Sequence, residues 1–210
     1  MTTTAGSRLA AAVAAALVLV AGCGAGGGAG GGARDVAGVA DVVGQGYQSG
    51  DGSTKTWPVA DRGEPVELAG TDFAGVAIDV ADWRGDVVVL NTWYAACPPC
   101  RKEAPDLVSL ATDYAADGVH LLGLNGTDDV GAAQAFERTF AVPYPSIADT
   151  DGAAIAALQG AVPVQAVPTT VVLDREGRVS ARILGLASSS TLRALVDDAL
   201  AEPPPDGGGA

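Results

Sequence analysis

The sequence predicts an α/β fold in which a mixed central β-sheet is flanked by helices, and three observations carry that prediction. Continuous apolar runs at 87–90 (Val87-Val88-Val89-Leu90) and 119–124 read as strands covered on both faces. Helical segments alternate with these runs along the middle of the chain. The alternation then gives way to paired strand segments, Thr169–Leu173 and Val179–Leu184, around the turn Asp174-Arg175-Glu176-Gly177.

Taken in order, residues 66–68 and 76–80 alternate apolar and polar side chains around Gly70 and Gly75, which predicts an N-terminal β-hairpin. Residues 86–92 form the first buried strand. A helix follows over 97–117, with Leu107, Leu110, Ala111 and Tyr114 on one face and Gly118 as its stop. The second buried strand runs over 119–124. A helix over 128–140, a short strand over 144–148 and a short helix over 152–159 come next. Ser189 or Ser190 is placed to cap a final helix whose Leu192, Leu195, Val196, Ala199 and Leu200 keep helical spacing. The ordered domain is expected over 65–201, preceded by a linker of marginal structure over 33–64 and followed by a disordered tail over 202–210.

Composition limits what such a domain can do. Its 210 residues suffice for one domain of ordinary size plus additional chain, and 48% hydrophobic with only 5% aromatic residues implies a core of Ala, Val and Leu. Twelve basic against 25 acidic residues leave a net charge of −13, which argues against nucleic acid as a partner. One histidine and three cysteines can barely supply one metal site, so no metal is expected.

The N-terminus reads as an address. After Arg8, residues 9–22 carry no charged or polar side chain and would span about 21 Å as a helix, short of the ~30 Å hydrocarbon core. That length suits a secretory signal better than a permanent span. The run ends in Val20-Ala21-Gly22-Cys23, which resembles a bacterial lipobox. The resemblance implies cleavage after residue 22, lipidation of Cys23 and anchoring at the extracytoplasmic face of the cell membrane. Seven glycines among residues 24–32 then predict a flexible tether.

The strongest chemical signal is Cys97-Pro98-Pro99-Cys100, between a predicted buried strand and a predicted helix. A zinc site would need a second pair of ligands, and c-type haem attachment wants histidine where Arg101 stands. A dithiol that cycles with a disulfide remains, beside the blander reading of an inert structural disulfide. The helix N-terminus favours a thiolate at Cys97, and Cys100 follows one turn later. Pro98 and Pro99 fit there because first-turn N–H groups lack helical partners. A bridge over two residues constrains little chain entropy, which weakens the structural reading.

The surroundings of this pair resemble the thioredoxin fold, and within it the TlpA/ResA-like family of membrane-tethered thiol–disulfide oxidoreductases. The likeness rests on residues 87–100, where a strand leads through Asn91, Thr92 and Trp93 to the dithiol, on Pro105 within the following helix, and on Val167-Pro168-Thr169-Thr170 ahead of a strand. Residues 126–160 match the family's central helix-and-strand insertion. The resemblance implies that Cys97 attacks a partner's disulfide and that Cys100 resolves the mixed disulfide. It also implies that Pro168 is cis and faces the pair, with the Val167 backbone pairing with substrate, and that Trp93 packs beneath the site.

Glu103, three residues beyond Cys100, is either a solvated helix charge or, by the resemblance, a group that handles protons. Arg101 could favour the thiolate or be a surface charge, and His120 reads as a structural histidine. Ala96 replaces the family's usual tryptophan, and Asn91 stands where cytosolic thioredoxins carry a buried acid. The resemblance implies protein thiols and disulfides as partners, apocytochrome c and a membrane thiol electron carrier among them, with no cofactor. A Dsb-type oxidant is the alternative. A peroxiredoxin-like peroxidase is disfavoured because Tyr94 stands where that family places threonine, and a non-enzymatic surface lipoprotein would leave the two motifs without a purpose.

Overall fold

The apolar run at 87–90 becomes the centre of a six-stranded sheet. The computed structural model describes residues 53–160 and 166–204. In chain order the elements are β1 (Thr54–Thr56), β2 (Ala69–Thr71), β3 (Ala77–Asp79), β4 (Val87–Thr92), α1 (Pro98–Asp113), β5 (Val119–Asn125), α2 (Val130–Phe140), β6 (Ser146–Ala148), α3 (Ala153–Ala156), β7 (Thr169–Leu173), β8 (Val179–Leu184) and α4 (Ser189–Ala201). The main sheet has the order β1-β8-β7-β4-β5-β6. β4, β5 and β6 are mutually parallel, whereas β7, β8 and β1 are added antiparallel. The fold is thioredoxin-like, as the sequence implied.

Every residue of β4 is buried because both faces of the sheet are covered. Val87 and Val89 point to the layer of α1 and α4, where Leu107, Leu110, Leu192 and Val196 meet them. Val88 and Leu90 point to the other face, closed by Val66, Leu68, Val80, Ile147 and Leu158. A third cluster, with Phe73, Trp93 and Phe136, gathers where β4 runs into the dithiol.

The predicted hairpin is present, displaced by a few residues: β2 pairs with β3, while Val66 and Leu68 precede it as buried extended chain. α1 ends at Asp113 rather than near 117. Tyr114 closes the last turn with its N–H on Leu110 O (3.1 Å), and Gly118 reverses the chain at φ +72°, where a Cβ would press on Asp86. The cap of α4 is Ser188, whose Oγ accepts from Thr191 N at 3.2 Å, rather than Ser189 or Ser190.

Both expected domain boundaries need correction. β1 lies inside the segment expected to be linker, yet it pairs with β8 along Thr54↔Ile183 and Thr56↔Ala181. Beyond it, the buried Arg62 guanidinium spans to Asp174 (2.8 Å) and bidentately to Glu202 (2.6 Å each). Arg175 also donates to Glu202 O at 2.6 Å, so Glu202 belongs to the domain and not to a free tail. These charges are taken from water only because each is paired, and their pairing holds both boundaries in place. Residues 205–210 lie outside the described residues, as do the signal segment, Cys23 and the glycine-rich tether. Among the described residues, no helix is long and apolar enough to cross a membrane.

Candidate active site

The end of β4 delivers the chain to the dithiol. Cys97 is the N-cap of α1, its Sγ accepting from Cys100 N at 3.2 Å. Pro98 and Pro99 occupy the first two helical positions, where no helical N–H bond is lost. Cys97 and Cys100 are joined in a disulfide, with Cα atoms 5.3 Å apart. In the reduced form, the free N–H groups and dipole of α1 would stabilise a Cys97 thiolate. Both cysteines are buried, Cys97 to 1% exposure and Cys100 to 2%, although Ala96 and Pro98 beside them are exposed. In this oxidised form the disulfide is thus closed to solvent.

Two side chains that the sequence did not single out hold the turn before Cys97. Asp128 accepts from Ala95 N (2.5 Å) and from Asn125 Nδ2 (2.8 Å), while Asn125 Oδ1 accepts from the N–H groups of Thr127 and Asp128. The signal was available: Asn125-Gly126-Thr127-Asp128 is an Asx turn at the end of a buried strand. From the other side, Arg101 Nη1 donates to Ala95 O at 3.1 Å, with its guanidinium 5.1 Å over the Phe140 ring. Arg101 thus fixes the turn, a role the sequence did not suggest.

Glu103 is no solvated charge. It is 1% exposed, with Oε1 accepting from Asn91 Nδ2 at 2.8 Å and Oε2 from Ala187 N at 3.2 Å. Burial pushes its carboxyl up to about 7, against the lowering effect of those two hydrogen bonds. Asn91 also donates to Thr170 Oγ1 at 3.2 Å, so it ties the acid to β7. The acid missing at position 91 is supplied by α1, one turn beyond Cys100. A carboxyl near 7 can hold or release a proton at neutral pH.

Trp93 lies under the turn, 6% exposed and stacked on Phe136 at 4.4 Å between centroids. On the facing strand the Val167–Pro168 bond is cis, and Val167 is 37% exposed. Thr169 N donates to Thr92 Oγ1 (2.8 Å) and Thr169 pairs with Thr92 in register, which sets the proline loop beside the end of β4. Gly185 N donates to Pro168 O at 2.8 Å and fastens the loop to the end of β8. His120 lies at the start of β5, stacked on Trp83 and 2.9 Å from Asp86 Oδ2, in keeping with a structural role. Cys23 lies outside the described residues. Among the described residues, no cluster of His, Cys, Asp and Glu suits a metal ion.

Residues 61–182, more than half of the chain, match the AhpC/TSA family. The chain belongs to that family. Its relatives include the thiol–disulfide oxidoreductase ResA of Bacillus thuringiensis subsp. konkukian, 31% identical over 115 residues, which cover 55% of this chain and 64% of the relative. The chain thus spans under two thirds of the length of the ResA relatives it matches. The thiol:disulfide interchange protein HelX of Rhodobacter capsulatus is 30% identical over 169 residues, covering 78% of this chain and 91% of HelX. Among solved structures, a secreted thiol–disulfide isomerase from Corynebacterium glutamicum is 31% identical with a TM-score of 0.65, covering 74% of this chain and 97% of that one.

Proposed function

We propose that this chain is an extracytoplasmic thiol–disulfide oxidoreductase, tethered to the membrane through Cys23, that reduces protein disulfides in support of cytochrome c maturation. The observation that carries the reading is the dithiol at the N-terminus of α1 with the buried Glu103 one turn behind it. In the reduced protein, Cys97 attacks a disulfide of the partner and releases its first thiolate. A mixed disulfide between Cys97 and the partner's second sulfur results. Cys100 then loses its proton and attacks Cys97 Sγ, closing the Cys97–Cys100 disulfide and freeing the second thiolate. Glu103, near neutrality, receives the Cys100 proton.

Val167 and the cis Pro168 offer an extended partner segment a backbone to pair with on the rim, while Trp93, Pro98 and Pro99 shape the ground beneath. Apocytochrome c, whose haem-attachment cysteines must be kept reduced, is the proposed partner, and a membrane thiol carrier the proposed electron donor.

Cys97→Ser is expected to abolish reduction of insulin disulfides, and Cys100→Ser to accumulate covalent mixed disulfides. Full insulin reduction by Cys97→Ser would overturn the reading. Direction is read from the reduction potential: a value near thioredoxin's (~−270 mV) fits the reductant and one near DsbA's (~−120 mV) an oxidant. Turnover of peroxide by the purified protein would point instead to a peroxidase.

A further inference from the structure

A second group of polar side chains lies beside Cys100, and Asn91, which donates to Glu103, is shared with it. Asn91, Trp93, Cys100, Phe136, Tyr144 and Ser146 help to line a void of about 10 Å³, measured to the centre of a water molecule. That is about the least room one water needs, and the lining supplies polar partners for it. Ser146 is 2% exposed, and its Oγ has no hydrogen-bond partner. A buried hydroxyl left in that condition has lost its hydration without compensation unless something meets it. A Cβ on Gly123 would clash with both Ser146 Oγ and Trp93 Nε1, so those two polar atoms converge on the same point of β5.

Glu137 of α2, a partly exposed residue, lies near the Ser146 hydroxyl. The hydroxyl offsets part of the rise that burial imposes on that carboxyl, although the geometry stops short of a completed hydrogen bond. Asp72 of the hairpin region raises the Glu137 carboxyl further and the neighbouring Arg138 lowers it. The Tyr144 hydroxyl, which lines the same void, is pushed up chiefly by burial and further by the charges of Glu103 and Glu137. Glu103 in turn faces Asp106 along its own helix.

We propose that one water bound in this void, together with Ser146 and Glu137, forms a second proton route from Cys100 to solvent across α2, parallel to Glu103. The inference rests on Cys100 being the resolving thiol. As Cys100 Sγ bonds to Cys97 Sγ and the bond from Cys97 to the partner breaks, the electron pair leaves on the partner's sulfur. The Cys100 proton passes to the water. Ser146 Oγ accepts a proton from the water and gives its own to the Glu137 carboxylate, whence it exchanges with solvent.

The test follows the reduced chain carrying Cys23→Ser, so that only Cys97 and Cys100 are free thiols, in stopped flow with the disulfide reagent dithiobis(nitrobenzoate). Cys97 displaces the first thionitrobenzoate and Cys100 the second, so the two thiols are read separately. Glu137→Gln and Ser146→Ala are expected to leave the first phase unchanged. They should slow the second about three- to tenfold, a modest share of what proton transfer can contribute because Glu103 remains. Glu137→Asp should recover part of the lost rate, and the second phase should lose one inflection of its pH profile in Glu137→Gln. Second-phase rates and pH profiles equal to wild type in both variants overturn the route. Equal slowing of both phases overturns it as well, as a general disturbance of the site. A wild-type protein with no second phase overturns the reading of Cys100 on which the route rests.

Discussion

Glu103→Gln should change how stability depends on pH. The carboxyl rises from an ordinary value of 4.5 to about 7 in the folded protein, chiefly through burial. A raised acid binds its proton more tightly folded than unfolded, so its contribution is complete below pH 4.5. It falls as pH climbs through the window from 4.5 to 7, and is gone above it. The difference corresponds to about 3 kcal/mol between pH 4 and pH 8. Glutamine has nothing to titrate. Its single acceptor cannot serve both Asn91 Nδ2 and Ala187 N, which now bind separate oxygens, so the variant also carries a pH-independent penalty of about 1–3 kcal/mol. Denaturant unfolding of both disulfide forms at pH 4, 5.5, 7 and 8 separates the two effects. The gap between wild type and variant should be widest at pH 4 and narrow by about 3 kcal/mol by pH 8. The other carboxylates are common to both proteins and cancel in the difference. A gap that stays constant across the four pH values would refute the buried, near-neutral acid.

Three further outcomes follow from the packing. Arg62→Ala should destabilise the domain by about 3 kcal/mol in denaturant melts, because Asp174 and Glu202 lose their shared cation; a change below about 0.5 kcal/mol would show that the N-terminal segment contributes little. Gly123→Ala should cost about 1–3 kcal/mol and alter Trp93 fluorescence, since the methyl group meets Ser146 Oγ and Trp93 Nε1, whereas wild-type stability with an unchanged emission spectrum would contradict that crowding. Asp128→Ala should speed exchange of the Ala95 amide hydrogen while Asp128→Asn, which keeps an acceptor, retains part of the protection, and equal protection in all three proteins would remove Asp128 from the turn.

Much of the frame was legible because local signals agreed with the long-range pairing. The turn at 174–177 carries the residues a reversal needs, and the strands on either side came out with their expected limits. The cysteine pair was legible because two prolines mark a helix start that only the first turn tolerates. Glu103 was harder, since charge argues for solvent. Yet it falls four residues before Leu107 and seven before Leu110, on the stripe that faces the core, and that periodicity was the available clue. β1 gave almost no signal: three residues of Thr and Lys on an edge strand show no burial pattern, and only the ladder with β8 makes them structure. Arg62 was illegible for a similar reason, because its partners lie 112 and 140 residues away in sequence. The displaced cap at Ser188 reflects a run of four candidates, Ser188, Ser189, Ser190 and Thr191, among which only the geometry chooses.

The register of β1 has a bearing on how the domain meets its surroundings. Because β1 runs antiparallel to β8, Leu184 N reaches Ser53 O at 2.7 Å, and Gly185, just after β8, holds Pro168. Whatever precedes Ser53 therefore joins the domain at the same end of the sheet as the dithiol, three strand spacings or about 14 Å across from β4. The chain leaves by the opposite pole, where Glu202 is clasped by Arg62 and Arg175. A hold applied directly at Ser53 would turn the reactive pole toward the holding surface, and one at Glu202 would turn it outward. A flexible tether between Cys23 and Ser53 would instead leave that pole free to turn. Attached to a bead or an electrode at Ser53 and then at Glu202, the same domain would present its dithiol end toward the support in the first orientation and toward bulky partners in the second.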